Sequence, residues 1–318
     1  MTDWSKIDES LLRQGEFSRL FFETGTMSES QKEEQLKTLV LALHSEATGI
    51  VDAVNYKDHR RQNNPVDIQK ILYKSVDAYR YILSILNLWG IDADTFTSAL
   101  HQKDDFLHYR HMLKDKSWNG QPIVLFDLDD VLAEFRDSFC KFVTDDSGIF
   151  IDPNSTEYYN VSAFKANGLS NEYYFRTFMD THGFLKLGLN RKYHELLKSL
   201  KEEGFWIQVL TSRPASNMTA YYDTFSWLKR HDIPADGVAF SAEKFVWLAE
   251  QSFYTKARVI AVDDSAKHAA EYVKHGVPTI VPQKTYNAEV ESLKGVHYIS
   301  DSDDPFPIAV KVSESQLV

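Results

Sequence analysis

The run Phe126-Asp127-Leu128-Asp129-Asp130-Val131 sets two carboxylates two residues apart, directly after the apolar stretch Pro122-Ile123-Val124-Leu125. That stretch reads as a buried strand. In an open α/β sheet, ligands bind in the crevice at the carboxyl ends of the strands. Two acids held there repel each other unless a positive group joins them, so a divalent cation is implied. Three further groups follow apolar runs: Thr211-Ser212-Arg213, Lys244, and Asp263-Asp264. Together they have the chemistry of phosphoryl transfer. One carboxylate can attack phosphorus, and a second can protonate the leaving oxygen and then activate water. A hydroxyl and an ammonium can hold the phosphoryl oxygens, and a third carboxylate can help bind Mg²⁺ through oxygen. Arg213 can touch the substrate phosphate or pair with a nearby acid. Asp130 follows the acid pair and, by strand alternation, is expected to point the other way.

These groups need a sheet to bring them together, and the chain between 119 and 300 has the pattern for one. Strands are expected over Ile123–Phe126, Trp206–Leu210, Val238–Phe240, Val259–Val262, Thr279–Val281 and His297–Ile299. Helices are expected over Glu134–Val143, Lys192–Glu203, Thr219–His231, Glu243–Gln251 and Ala266–His275. The alternation predicts a parallel sheet covered by helices. Residues 145–190 interrupt it with an aromatic-rich insertion containing Tyr158, Tyr159, Phe164, Tyr173, Tyr174, Phe175, Phe178 and Phe184, expected to form a lid. Residues 301–318 show little pattern and read as a partly ordered tail. The turn-rich Trp118-Asn119-Gly120-Gln121-Pro122 marks the boundary with residues 1–118, which read as an all-α helical bundle.

In that order, Asp127-Leu128-Asp129, Thr211, Lys244 and Asp263-Asp264 resemble the four motifs of the haloacid dehalogenase-like (HAD) phosphatases. The resemblance covers roughly residues 122–290. It implies a Rossmannoid α/β domain with a helical cap, Asp127 as nucleophile and Asp129 as general acid/base. It also implies Thr211, Ser212, Arg213 and Lys244 around the phosphate. Mg²⁺ would be held by Asp127, Asp264 and the Asp129 carbonyl, with Asp263 in support. An acid at the second position looks like a phosphatase rather than a dehalogenase. The cap is similar to that of 5′(3′)-deoxyribonucleotidases, whereas Thr211-Ser212-Arg213 and the Tyr221–Pro234 stretch look like the phosphatase half of phage polynucleotide kinases. The implied substrate is a nucleoside monophosphate, with a polynucleotide 3′-end as the alternative.

The helical half has a second pattern. Leu41-Ala42-Leu43-His44-Ser45-Glu46, Asn55 to Arg60, Lys74-Ser75-Val76-Asp77 and Lys103 to Arg110 resemble the MazG and dimeric dUTPase group of NTP pyrophosphohydrolases. Those proteins hold Mg²⁺ with acids at i and i+3 on two facing helices. Here Gly49 stands three residues after Glu46, and Lys74 stands three before Asp77. Two of four acids are missing, and one is replaced by a cation. The site reads as degenerate, with Lys57, Lys103 and Arg110 left as phosphate-binding candidates. An oligomerisation or nucleotide-binding domain is expected rather than a pyrophosphohydrolase, and the resemblance implies a homo-oligomer through these helices.

A formal net charge of −11 disfavours nucleic acid or anionic membrane as the main partner, since both reward clustered Lys and Arg. A small-molecule nucleotide suits it better. The single cysteine, Cys140, excludes an internal disulfide and suits a reducing cytoplasm. It lies in an amphipathic stretch and reads as a core thiol. No apolar run reaches the ~20 residues of a membrane span, and Met-Thr-Asp-Trp-Ser opens no signal-peptide core. No Walker loop is present, so kinase chemistry is not expected.

Overall fold

The computed structural model describes residues 5–19, 26–54, 65–114, 116–154 and 168–315. The chain divides into two compact units, Met1–His101 and Gln102–Val318. Among the described residues, no helix is long and apolar enough to cross a membrane.

The second unit is built on a six-stranded parallel sheet: β1 Ile123–Phe126, β2 Trp206–Thr211, β3 Gly237–Phe240, β4 Val259–Val262, β5 Thr279–Pro282 and β6 Val296–Ile299. Their order is β3-β2-β1-β4-β5-β6. β1 therefore lies between two strands that follow it in sequence, and the order reverses beside it. All four β1 residues are buried. Ile123 and Leu125 join one core cluster, while Val124 and Phe126 join another, as the twofold period of a strand covered on both faces requires. Phe126 is level with Val209 of β2 and Val262 of β4. That register brings Asp127 and Asp263, each the next residue along, to the same end of the sheet.

The first unit is helical. It comprises α1 Ser5–Ser18, α2 Glu29–Val51, α3 Ile68–Leu88 and the start of α4 Ala93–Lys114. Ser28 caps α2 through a capping box with Gln31. Leu11, Leu83, Leu86 and Ala93 form its core. The later part of α4 belongs to the second unit. There Phe106 packs on Tyr221, Tyr222 and Phe225, and the Tyr109 hydroxyl donates to the Ile233 carbonyl at 3.0 Å.

Helices flank the sheet: α5 Phe135–Ser147, α6 Asn171–Asp180, α7 Arg191–Glu202, α8 Met218–Arg230, α9 Lys244–Ala249 and α10 Ala266–Lys274. Each of the expected strands and helices is present, with ends shifted by up to four residues. Residues 301–318 depart from the unpatterned tail expected of them, because Pro305–Glu314 forms α11. Asp304 caps it, and Pro305 occupies the first turn, where a missing N–H leaves no bond unmade. Ala309 and Val312 then bury themselves in the main core.

Among the described residues, the insertion between α5 and α7 holds α6 and one 3-10 turn, Phe184–Lys186. Tyr158, Tyr159 and Phe164 lie outside the described residues. Phe135, Phe175, Phe178 and Phe184 pack edge-to-face or stacked, with centroids 5.6–6.2 Å apart. Gly183 permits this approach, since a Cβ there would lie 2.5 Å from ring carbons of Phe178. Gly183→Ala is expected to cost about 1–3 kcal/mol by overpacking. Urea unfolding measures it, and an unchanged midpoint would contradict the close packing.

Candidate active site

Asp127 leaves β1 with its amide bonded to the Val262 carbonyl at 2.9 Å, so the sheet hydrogen bonding runs on to the acid itself. Lys244 opens α9 and is almost wholly buried. Its Nζ lies 2.7 Å from Asp127 Oδ1 and 2.8 Å from Asp263 Oδ2. The Leu128 amide donates to the same Asp127 Oδ1 at 2.7 Å, and Oδ2 has no donor among the described residues. Asp263 Oδ1 accepts from the Ser265 amide at 3.0 Å. Asp264 Oδ2 accepts from the Tyr286 hydroxyl at 2.6 Å, and the Asp264 carbonyl accepts from Asn287.

Asp127, Asp263 and Asp264 offer one oxygen each within 4.8 Å of one another, and all three are buried. Three acids against one lysine leave a negative surplus out of water. Burial pushes the Asp127 carboxyl up to about 7, against the pull of Lys244, and the charges of Asp263 and Asp129 raise it further. Burial likewise pushes Asp264 well above the usual carboxylate range, with Asp130, Asp127 and Asp263 adding to it. Burial opposes the Lys244 ammonium, but the two acids outweigh it and raise its pKa. A hard divalent cation with oxygen ligands fits this donor set. Asp127 and Asp264 would hold it, while Asp263 is bonded to Lys244.

Asp129 is gripped by Arg213. Nε donates to both Asp129 oxygens at 3.2 and 3.0 Å, and Nη2 donates to Oδ1 at 2.6 Å. Arg213 thus pairs with a nearby acid, one of the two roles open to it. Thr211 is fully buried at the end of β2, and its Oγ1 accepts from the Arg213 amide at 3.2 Å. Ser212 Oγ lies 3.3 Å from the Ser241 carbonyl, to which it donates, and 3.4 Å from His268 Nε2. Asp127, Asp129, Ser212, Arg213, Asp264 and His268 line a cavity of about 460 Å³, whose apolar wall is Phe135, Phe175 and Phe184.

Asp130 corrects one expectation. It also lines that cavity, because its φ of 58° takes it out of the strand and breaks the alternation. Its Oδ1 accepts from the Arg136 amide at 2.8 Å, and burial raises its carboxyl to about 6 despite that bond. The Arg136 guanidinium lies 3.4 Å over the Tyr286 ring. Tyr286, Asn287, Arg136 and His268 had no sequence signal beyond proximity to a strand end. Their parts depend on contacts across the fold.

The helical candidates fall differently. Lys74 Nζ lies 2.6 Å from Glu46 Oε2, so the lysine occupies the acid it faces. That hydrogen bond and the charge of Glu46 raise the Lys74 pKa, with Asp77 adding to it. Gly49 makes room for it, since a Cβ there would lie 3.1 Å from Lys74 Cδ. Lys57 lies outside the described residues. Lys103 and Arg110 belong to the second unit, where Lys103 Nζ donates to the Tyr222 hydroxyl at 2.7 Å and Arg110 is exposed.

No protein-family model matches the chain. No curated protein matches it either. Solved structures similar to it include a predicted phosphatase from Clostridium acetobutylicum, 20% identical with a TM-score of 0.42, covering 63% of this chain and 99% of that one. Another is a predicted phosphoglycolate phosphatase from Haemophilus somnus, 17% identical with a TM-score of 0.42, covering 61% and 99%. A HAD family hydrolase from Deinococcus radiodurans R1, solved with bound phosphate and sodium, is 13% identical with a TM-score of 0.44, covering 61% and 97%. None of these likenesses assigns a residue in this chain.

The raised acids imply a sign for stability against pH. A carboxyl whose folded pKa exceeds its unfolded value binds more protons in the folded state, so stability falls as pH rises between the two. For Asp127 that window runs from its ordinary 3.8 to about 7. In a chelator, the urea midpoint is expected to be lower at pH 8 than at pH 5. Mg²⁺ should raise it more at pH 8, and Asp264→Asn should shrink both effects. Equal midpoints with and without Mg²⁺ would contradict the cation site.

Proposed function

We propose that the chain is a Mg²⁺-dependent phosphomonoesterase of the HAD type, acting on nucleoside monophosphates through an aspartyl-phosphate. The observation that carries the reading is the buried Lys244 bridging Asp127 and Asp263 beside Asp264, at the end of the central strand. A free Asp127 Oδ2 at the cavity attacks phosphorus, and the bond to the leaving oxygen breaks. The leaving oxygen takes its electron pair and a proton from Asp129. Water then attacks the phosphorus of the acyl phosphate, Asp129 takes its proton, and inorganic phosphate leaves with Asp127 restored. Lys244, with the Ser212 hydroxyl and the Thr211 turn, stabilises charge on the phosphoryl oxygens. Mg²⁺, when bound, supplies further positive charge to those oxygens and to the acid cluster.

The nucleotide part of the reading is supported by the half-buried Phe175 in the cavity's aromatic lining, a ring against which a base can stack. The acidic net charge favours a small nucleotide over a polynucleotide end. The Glu46–Lys74 pair speaks against pyrophosphohydrolase chemistry in the helical unit, where a tethered ammonium stands in for a metal. Phosphate release from a panel of nucleoside 5′- and 3′-monophosphates with Mg²⁺ tests the function. Wild type is expected to turn over, and Asp127→Asn to lose at least about 1000-fold, as loss of a covalent nucleophile does. No release by wild type would sink the reading.

The helical unit is proposed to assemble the chain into a homo-oligomer. Ile68, Leu72, Val76 and Tyr79 recur at helical spacing along α3 and are all exposed. Light scattering is expected to return a multiple of the 36.6 kDa chain mass. A single chain's mass at micromolar concentration would contradict assembly.

A further inference from the structure

Arg213 is a buried cation whose side-chain hydrogen bonds go to acceptors of the fold. Its side chain is 1% exposed, against 23% for its partner Asp129. Nε and Nη2 go to the Asp129 carboxylate. Nη1 donates to Thr224 Oγ1 at 3.1 Å, and that hydroxyl donates in turn to the Ala220 carbonyl at 2.7 Å within α8. Each guanidinium nitrogen therefore has an acceptor within the fold. The flat face is used as well, with Cζ 4.1 Å from the centroid of Phe184. Phe184 is 1% exposed and is wedged by Phe135, Phe175 and Phe178 of the insertion cluster.

Such a forked ion pair constrains more than charge. A guanidinium meeting a carboxylate through two nitrogens sets the plane and rotamer of the acid, which a point-charge ammonium cannot do. Asp129 has only two rotatable bonds, Cα–Cβ and Cβ–Cγ, between its backbone and its carboxylate, so gripping the carboxylate fixes where its oxygens lie in the cavity. Proton transfer is sensitive to that placement.

We infer that Arg213 is a positioning residue for Asp129, braced by Phe184, so that the insertion sets how well the acid meets the leaving oxygen. This rests on the phosphomonoesterase reading and deepens it. Arg213 binds no phosphoryl oxygen. Its part is to hold Asp129 where the proton passes to the leaving oxygen as the P–O bond breaks.

The choice of ester separates this from phosphate binding. An alkyl phosphate leaves as a strongly basic alkoxide and needs the proton, whereas p-nitrophenolate leaves without one. The full chain with Mg²⁺ is assayed on a nucleoside 5′-monophosphate and on p-nitrophenyl phosphate, as wild type, Arg213→Met, Arg213→Lys and Phe184→Leu. For Arg213→Met, kcat/KM on the nucleotide is expected to fall about 100-fold, the usual worth of a general acid, and on the aryl ester less than about fivefold. Arg213→Lys should recover little, because it lacks the fork. Phe184→Leu keeps every charge and should show the same split at a smaller size, so it serves if Arg213→Met does not fold. Calorimetry with inorganic phosphate should give the Arg213 variants the wild-type affinity within about twofold. Equal losses on the two esters, or a tenfold loss of phosphate affinity, overturn the role given to Arg213. A wild type inert on both esters sinks the phosphomonoesterase reading instead.

Discussion

The second unit depends on one buried cation. Lys244 is brought to the end of the central strand by the start of a short helix and is held between Asp127 and Asp263. Removing two carboxylates and an ammonium from water costs on the order of several kcal/mol per ion, so the arrangement persists only where each ion has close partners. Here the sheet provides them. The parallel register puts both acids at one level, and the backbone amides of Leu128 and Ser265 each donate one further bond, to Asp127 and Asp263. The ammonium neutralises one charge of three, which leaves the cluster short of a cation and raises the pKa of Asp127 and Asp264 through burial.

Around that centre lies an outer layer of contacts that orient rather than react. Tyr286 and Asn287 steady Asp264, Arg136 stacks on Tyr286, and Arg213 takes Asp129. Gly183 lets the 3-10 turn approach Phe178, which puts Phe184 against Arg213. The insertion thus reaches an acid of the site through a single aromatic ring.

The helical unit solves a related problem by another route. Glu46 and Asp77 face a lysine in place of further acids, and Gly49 gives up its side chain so that Lys74 can lie along α2. The two departures from a four-acid pattern are therefore one change: the missing volume at Gly49 accommodates the lysine that replaces the missing charge. An exposed apolar row on α3 remains, and it is this surface that the proposed assembly would use.

The sequence by itself determined the α/β alternation, the positions of Asp127, Thr211 and Asp263-Asp264 at strand ends, and that of Lys244 at the start of a helix close to one. It did so because short apolar runs bounded by polar residues are local signals, and the residue after a buried strand must leave the sheet wherever the strand stops. It equally exposed Gly49 and Lys74 as departures. Tertiary structure alone decided that Arg213 meets Asp129, that Asp130 turns into the cavity through a left-handed backbone, and that Tyr286 bonds Asp264. It also turned residues 305–314 into a helix, because Ala309 and Val312 found a core to fill. Spacing along a chain says which groups reach the same edge of a sheet. Which of those groups pair is settled by distances of a few ångströms between segments far apart in sequence, and those exist only once the core has packed.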